Sequence, residues 1–200
     1  MPTSARRARE RASTRERIIE AALHILENEG VTALTIRRIA TAVEYSAPVV
    51  YQHFANKDAL VLELVAHGYR LMMAELQQAD EEADIDRRFL LLASESVRFA
   101  GEHPHLYEVM NDNTVDADER LRAAAPMIGL LRELLTTWSD AHDVILADFD
   151  EACDIVWGTL SGIASLGRIG TVGNERAQQL AQRAMHTLLR GWRADLPVNA

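Results

Sequence analysis

The stretch from Thr35 to Lys57, TIRRIATAVEYSAPVVYQHFANK, constrains the fold more than any other part of this chain. Ile36, Ile39, Ala40 and Val43 are spaced i, i+3, i+4, i+7, which puts one apolar face on a short helix. Thr35 stands before it as an N-cap. The apolar pattern pauses at Glu44-Tyr45. Ser46 then offers a second N-cap, and Pro48 suits the first turn of a new helix, where its missing N–H costs nothing. That second helix carries Val50 and Phe54 inward and is expected to end around Phe54. Val49, Tyr51, Gln52 and His53 are left on its other faces. Two short helices joined by a tight turn make a helix-turn-helix, whose second helix can enter a DNA major groove.

The same residues carry a family resemblance. IRRIATAVEYSAPVVYQHFANKDAL resembles the DNA-binding signature of the TetR family of transcriptional repressors. Ile39-Ala40, Ser46, Tyr51, Phe54, Lys57 and Leu60 fall where that pattern wants them, and the resemblance spans roughly residues 14 to 66. One position departs from it. The family usually has Gly in the turn where this chain has Glu44, and Gly is used there because it tolerates positive φ. Glu44 therefore implies either a strained residue or a slightly different turn. The DNA-facing set implied by the resemblance is Thr35, Arg37, Ser46, Ala47, Pro48, Val49, Tyr51, Gln52, His53 and Lys57. Arg37 falls where the family often places a base-reading or phosphate-binding side chain. It is the best donor for the O6 and N7 of a guanine. Ala47, Pro48 and Val49 lead the recognition helix and can make only apolar contacts, for instance with a thymine methyl. Gln52 can pair with adenine. Tyr51, His53 and Lys57 match positions that hold phosphates, to which Thr35 can add its hydroxyl.

A net charge of −9 argues against DNA until the chain is divided. Residues 1–60 hold nine Lys/Arg and seven Asp/Glu, whereas residues 61–200 hold twelve and twenty-three. The first seventeen residues alone hold six Arg against two Glu. Steering toward phosphate depends on the local field more than on the total. Residues 1–13 are Arg- and Ala-rich with almost nothing to bury, and they read as a disordered basic arm, either a solubilising leader or a DNA-contacting segment. No apolar run approaches the ~18 residues of a membrane span. The charged N-terminus lacks the apolar core of a secretory signal. The single cysteine, Cys153, fits a reducing compartment, so cytoplasm is expected.

The remaining pattern is helical throughout. A first helix over residues 14–29 buries Ile18, Ile19, Ala22, Leu23 and Leu26 and stops at Gly30. Asn56 caps a long helix from Lys57 to about Gln78, followed by an acidic loop from Asp80 to Asp86. Helices are expected over Arg87–Glu102 and His105–Met110, the second with Pro104 at N1. Another begins near Glu119, is interrupted at Pro126, and continues to Trp138. Asp150 is expected to cap a long apolar helix to about Ile169, and Asn174 a last one to Trp192. This gives an all-α chain of about nine helices: a disordered arm (1–13), a helix-turn-helix DNA-binding domain (14–58) and a helical ligand-binding and dimerisation domain (59–200).

Residues 155–169, IVWGTLSGIASLGRI, resemble the C-terminal region of a TetR subgroup with a Trp-containing, Gly-containing helix. Gly158 and Gly162 lie four apart, as do Ser161 and Ser165, which makes a flat strip where another helix can approach. Packing within one subunit would also use it. The resemblance implies a homodimer through the last two helices, so Gly158, Ser161, Gly162, Ser165 and Leu188 are the interface candidates. Met72, Phe89, Phe99, Tyr107, Met110, Met127, Trp138 and Trp157 are candidates to line an effector pocket or to form plain core. His103 and His105 flank Pro104, but no metal-ligand motif, nucleophile constellation or phosphate loop is present, and neither an enzyme nor a cofactor is expected. The expected function is a DNA-binding transcriptional regulator. In this reading it is a repressor released from its double-stranded operator by a small apolar or amphipathic effector. The alternative is a helical small-molecule or metal-binding module with a degenerate head.

Overall fold

The computed structural model describes residues 2–76, 82–112 and 115–194. The expected helix end at Gln78, the start of the acidic loop at Asp80 and part of the segment after Asn111 lie outside them. Among the described residues the chain forms nine α-helices, one 3-10 turn and no strand. They are α1 (Pro2–Glu29), α2 (Ile36–Ala42), α3 (Ala47–Tyr51), α4 (Lys57–Leu76) and α5 (Ile85–Glu102), then α6 (Pro104–Asn111), α7 (Ala117–His142), α8 (Phe149–Arg168) and α9 (Asn174–Ala194). The 3-10 turn is Val31–Ala33. None of these helices is long and apolar enough to cross a membrane.

The all-α reading holds, with five corrections. Residues 1–13 were expected to be disordered, yet α1 is helical from Pro2. Ala and Arg are good helix formers, and the nucleus packed around Ile18 lets the helix propagate backwards. An ion pair from Arg6 to Glu10 at 2.7 Å and a bond from the Thr14 hydroxyl to the Glu10 carbonyl support it. The expected interruption at Pro126 is absent, because α7 runs through it. Pro126 and Arg122 are both exposed, so the Arg122 carbonyl freed by the proline is available to water. Helix α3 ends at Tyr51 rather than Phe54. The cap of α8 is Asp148, not Asp150: its carboxylate accepts from the backbone N–H groups of Asp150 and Glu151. Similarly, Asp84 caps α5 two residues earlier than expected, accepting from Asp86 and Arg87.

By packing, the described residues group into two compact units. The first contains the chain up to Gly68 together with His105–Ala123. The second contains Tyr69–Pro104 and the chain from Ala124. In the first unit Ile18, Ala22 and Leu26 of α1 are fully buried with Leu34, Ile39, Val50, Leu60 and Leu64. Gly30 ends α1 at φ 79°, a conformation that L side chains rarely adopt. Helix α6 belongs here because Gly68 leaves room for it: a Cβ at that position would collide with the Met110 sulfur.

In the second unit α5, α8 and α9 pack together. Ala177, Ala181, Met185 and Leu189 form the buried seam of α9, one residue per turn. Asp86, in the first turn of α5, is a polar hub. It accepts from Trp138 Nε1 at 2.8 Å, pairs with Arg193, and lies 3.3 Å from His142 Nε2. Burial works to raise the Asp86 carboxyl, but the Arg193 and Trp138 bonds overcome it and hold it below the ordinary range.

Candidate nucleic-acid interface

The geometry of the helix-turn-helix follows from its apolar faces. Ile36, Ile39 and Ala40 of α2 and Val50 of α3 point into the core, which leaves the opposite faces to solvent. Thr35 caps α2 by accepting from the Arg38 N–H at 3.3 Å. Asn56 caps α4, accepting from the Ala59 N–H at 2.7 Å. In the turn the Tyr45 N–H donates to the Ala40 carbonyl at 2.8 Å. Glu44 sits at φ 59°, so the departure from Gly is resolved: the turn is retained and Glu44 takes the left-handed conformation.

Three arginines of α1 fasten this motif. Arg17 donates to the Tyr45 hydroxyl at 3.0 Å and the Val43 carbonyl at 3.3 Å, and lies 5.2 Å over the Tyr45 ring. Arg15 pairs with Glu63 at 2.5 Å and stacks 5.0 Å over Phe54. Arg11 donates to the Gln52 carbonyl at 3.1 Å, at the C-terminal end of α3. Sequence reasoning did not single these residues out. For Arg11 and Arg15 the signal was available, because they lie seven and three residues before Ile18 and extend the buried stripe of α1.

Of the expected DNA-facing set, Thr35, Arg37, Ser46, Pro48, Tyr51 and Gln52 are exposed. Ala47, Val49, His53 and Lys57 are half-buried. Tyr51 is 52% exposed, large for an aromatic that could have packed inward. The adjacent arginines of α2 differ. Arg38 pairs with Glu29, whereas the Arg37 side chain bonds no described residue, so its guanidinium is the one left to offer. Ser46 stands at the N-cap of α3 without a side-chain cap bond. The His53 Nδ1 is buried without a partner among the described residues. Burial, then the charges of Arg11 and Arg15, push the His53 pKa down, which keeps the ring neutral near pH 7.

This face lies in a segment matched, over residues 18–64, by the family model described as bacterial regulatory proteins, tetR family. A second model, tetracyclin repressor-like C-terminal domain, matches residues 89–188, half of the chain. The chain belongs to the tetR family. It is similar to the nucleoid occlusion factor SlmA of Vibrio vulnificus, with 30% identity over 115 residues, 56% of this chain and 59% of that protein. It also resembles the class D tetracycline repressor of Escherichia coli, 39% identical over 66 residues, 30% of each chain. The chain thus spans 59% of the length of the first of these curated relatives and 30% of the second. Among solved structures, a Rhodococcus sp. RHA1 protein superposes with a TM-score of 0.75 at 25% identity, covering 89% of this chain and 94% of that one. Bacillus subtilis FadR, solved with stearoyl-CoA, shares the fold: TM-score 0.69, 16% identity, 88% and 98% coverage.

The remaining candidates in this tetR-family chain sort by unit. Tyr107 and Met110 are buried in the first unit, and Met72, Phe89, Phe99, Met127 and Trp138 in the second. Trp157 is half-buried, its ring centroid 6.0 Å from that of Tyr69. On α8 Gly158 and Gly162 are exposed, and a Cβ at either would meet open space. Ser161, Ser165 and Leu188 are partly covered. His103 lies 3.5 Å from Glu75, and His105 lies 3.7 Å from Glu108. Among the described residues no three His, Cys, Asp or Glu side chains come together as a metal site. Cys153 is buried, and burial pushes its thiol pKa up, which makes it a poor nucleophile.

Proposed function

We propose that this tetR-family chain is a cytoplasmic, homodimeric repressor that binds an operator and releases it when a small apolar or amphipathic effector enters the helical body. The observation that carries the reading is the solvent face of α2 and α3. The Arg37 side chain lies there bonded to no described residue, alongside exposed Tyr51 and Gln52. Arg37 serves as a bidentate donor to a guanine, and Gln52 as the partner of an adenine. Ala47, Pro48 and Val49 supply apolar contact to a thymine methyl. Thr35, Ser46, Tyr51, His53 and Lys57 hold backbone phosphates and set the register.

The dimer reading is supported by one face of α8. Gly158, Gly162, Leu166 and Ile169 share it at helical spacing, and Leu166 and Ile169 are 38% and 66% exposed. An uncovered strip with two glycines and two large aliphatics suits the close approach of a second helix. The effector reading rests on the aromatic and Met content of the second unit, Met72, Phe89, Phe99, Met127, Trp138 and Trp157. Release follows as a population shift, in which effector favours a state where α4, shared by both units, is displaced and the two recognition helices lose the half-site spacing.

A degenerate head is the competing reading, favoured by the lack of side-chain donors at Ala47-Pro48-Val49. A mobility-shift titration on the DNA upstream of the chain's own coding region, at two salt concentrations, separates the two. A repressor shows steep salt dependence and sequence preference. Arg37→Ala should then cost about 1–3 kcal/mol at one base position. An equal loss on scrambled operators would remove base reading by Arg37. Salt-insensitive, sequence-blind retention would favour the degenerate head.

A further inference from the structure

Helix α1 outruns the core it is anchored in. Residues 5–13 are all exposed, and the buried stripe begins only at Ile18. The bond from Arg11 to the Gln52 carbonyl ties α1 to the end of α3. From Arg11 back to Pro2 the helix extends by about 13 Å at 1.5 Å per residue. This prong has no apolar face beyond alanine, so neither a protein groove nor a lipid surface has anything to bury against it. It carries four arginines and one glutamate over residues 5–13.

Those arginines are not equivalent. Arg6 is paired with Glu10, and the Arg9 Nε turns back to the Ala5 carbonyl at 3.4 Å. Arg7 lies one turn before Arg11 on the same helix face and bonds no described residue. Arg7 and Arg11 therefore form a basic ridge that leads off the C-terminal end of the recognition helix.

We infer that this ridge is a second DNA-contacting element, in which Arg7 holds a phosphate of the duplex flanking the base pairs under α3 while Arg11, bonded to the Gln52 carbonyl, anchors the ridge to the recognition helix. The inference rests on the operator-binding reading above and adds a partner surface to it. Guanidinium groups on a solvated helix outside the helix-turn-helix position the protein without reading bases. The ridge thus contributes affinity and not sequence preference.

Binding of the full chain to its operator and to an unrelated duplex, measured across salt concentrations, tests this. Arg7→Gln should lower affinity by the same factor on both duplexes. It should reduce the slope of log K against log salt by about 0.9, equivalent to about 3.5-fold less affinity lost between about 50 and about 200 mM salt. Arg6→Gln, whose charge is already offset by Glu10, should change the slope less. A wild type that binds while Arg7→Gln leaves affinity and slope unmoved would overturn the ridge alone. So would a loss confined to the operator, which would mean base reading, or an equal effect of Arg6→Gln, which would mean diffuse charge. A wild type with no salt-dependent binding would overturn the operator reading and the ridge together.

Discussion

The helix-turn-helix and the α5/α8/α9 bundle are held by different means. Helices α2 and α3 have seven and five residues, too short to persist alone, and depend on caps, a few core side chains and arginines reaching across from α1. Helices α5, α8 and α9 have eighteen, twenty and twenty-one residues and bury a continuous seam. Their charges are used differently as well. In the second unit Arg98 is shared among Glu75, Glu95 and Glu102, and Arg132 pairs with Asp150. In the head, Arg37, Tyr51 and Gln52 are left facing solvent. The contrast teaches that charges satisfied inside the protein serve the fold, whereas charges left outward are available to a partner.

The largest test of this contrast is Trp138→Ala. Trp138 is fully buried, packs 6.2 Å from Trp192 and donates to Asp86. Its truncation should lower unfolding free energy by about 3–5 kcal/mol in urea denaturation. A loss below about 1 kcal/mol would mean that the seam, not the hub, holds the second unit.

Asp86→Asn should cost less, about 1–2 kcal/mol, because the carboxylate is partly solvated and its neighbours can find water. Its depressed pKa sets the sign of the pH dependence. The contribution of the carboxylate is present above the unfolded pKa of about 3.9 and is lost as pH falls through the folded value. Acid titration of wild type against Asp86→Asn should show that component only in the wild type.

In the head, Thr35→Ala should cost about 1 kcal/mol by removing the cap of α2. It should also weaken DNA binding, as read by thermal melting and mobility shift together. The smallest effect is a gain. Glu44→Gly relieves a left-handed residue and should raise stability by about 0.5–1 kcal/mol, with DNA binding retained. A loss on this substitution would show that Glu44 makes a compensating contact.

Much of the head was legible in the sequence because its signals are local. Thr35 is the cap that its position predicts, and Asn56 caps α4 as expected. Val50 and Phe54 point inward as their spacing requires. Where the reading failed, a non-local or solvent term decided. Pro126 was read as a break by its own chemistry, but it lies on an exposed face where water can replace the missing bond. The arm was read as disordered because it buries nothing, yet a nucleus seventeen residues along supports the helix leading to it. Asp148 displaced Asp150 as the cap because two acidic residues compete within three positions and only backbone geometry selects one.

The amino-acid order by itself determined the helical class, the helix-turn-helix and the family, since periodicity, caps and typed positions at fixed offsets act within a few turns. Only the tertiary structure decided which of two adjacent arginines pairs with another described residue, that Glu44 adopts the left-handed conformation, that α6 packs with the head, and that Asp86 gathers Trp138, Arg193 and His142. Apart from the local turn at Glu44, those outcomes depend on residues from nine to more than a hundred positions apart meeting in space, and no local pattern encodes a pairing partner.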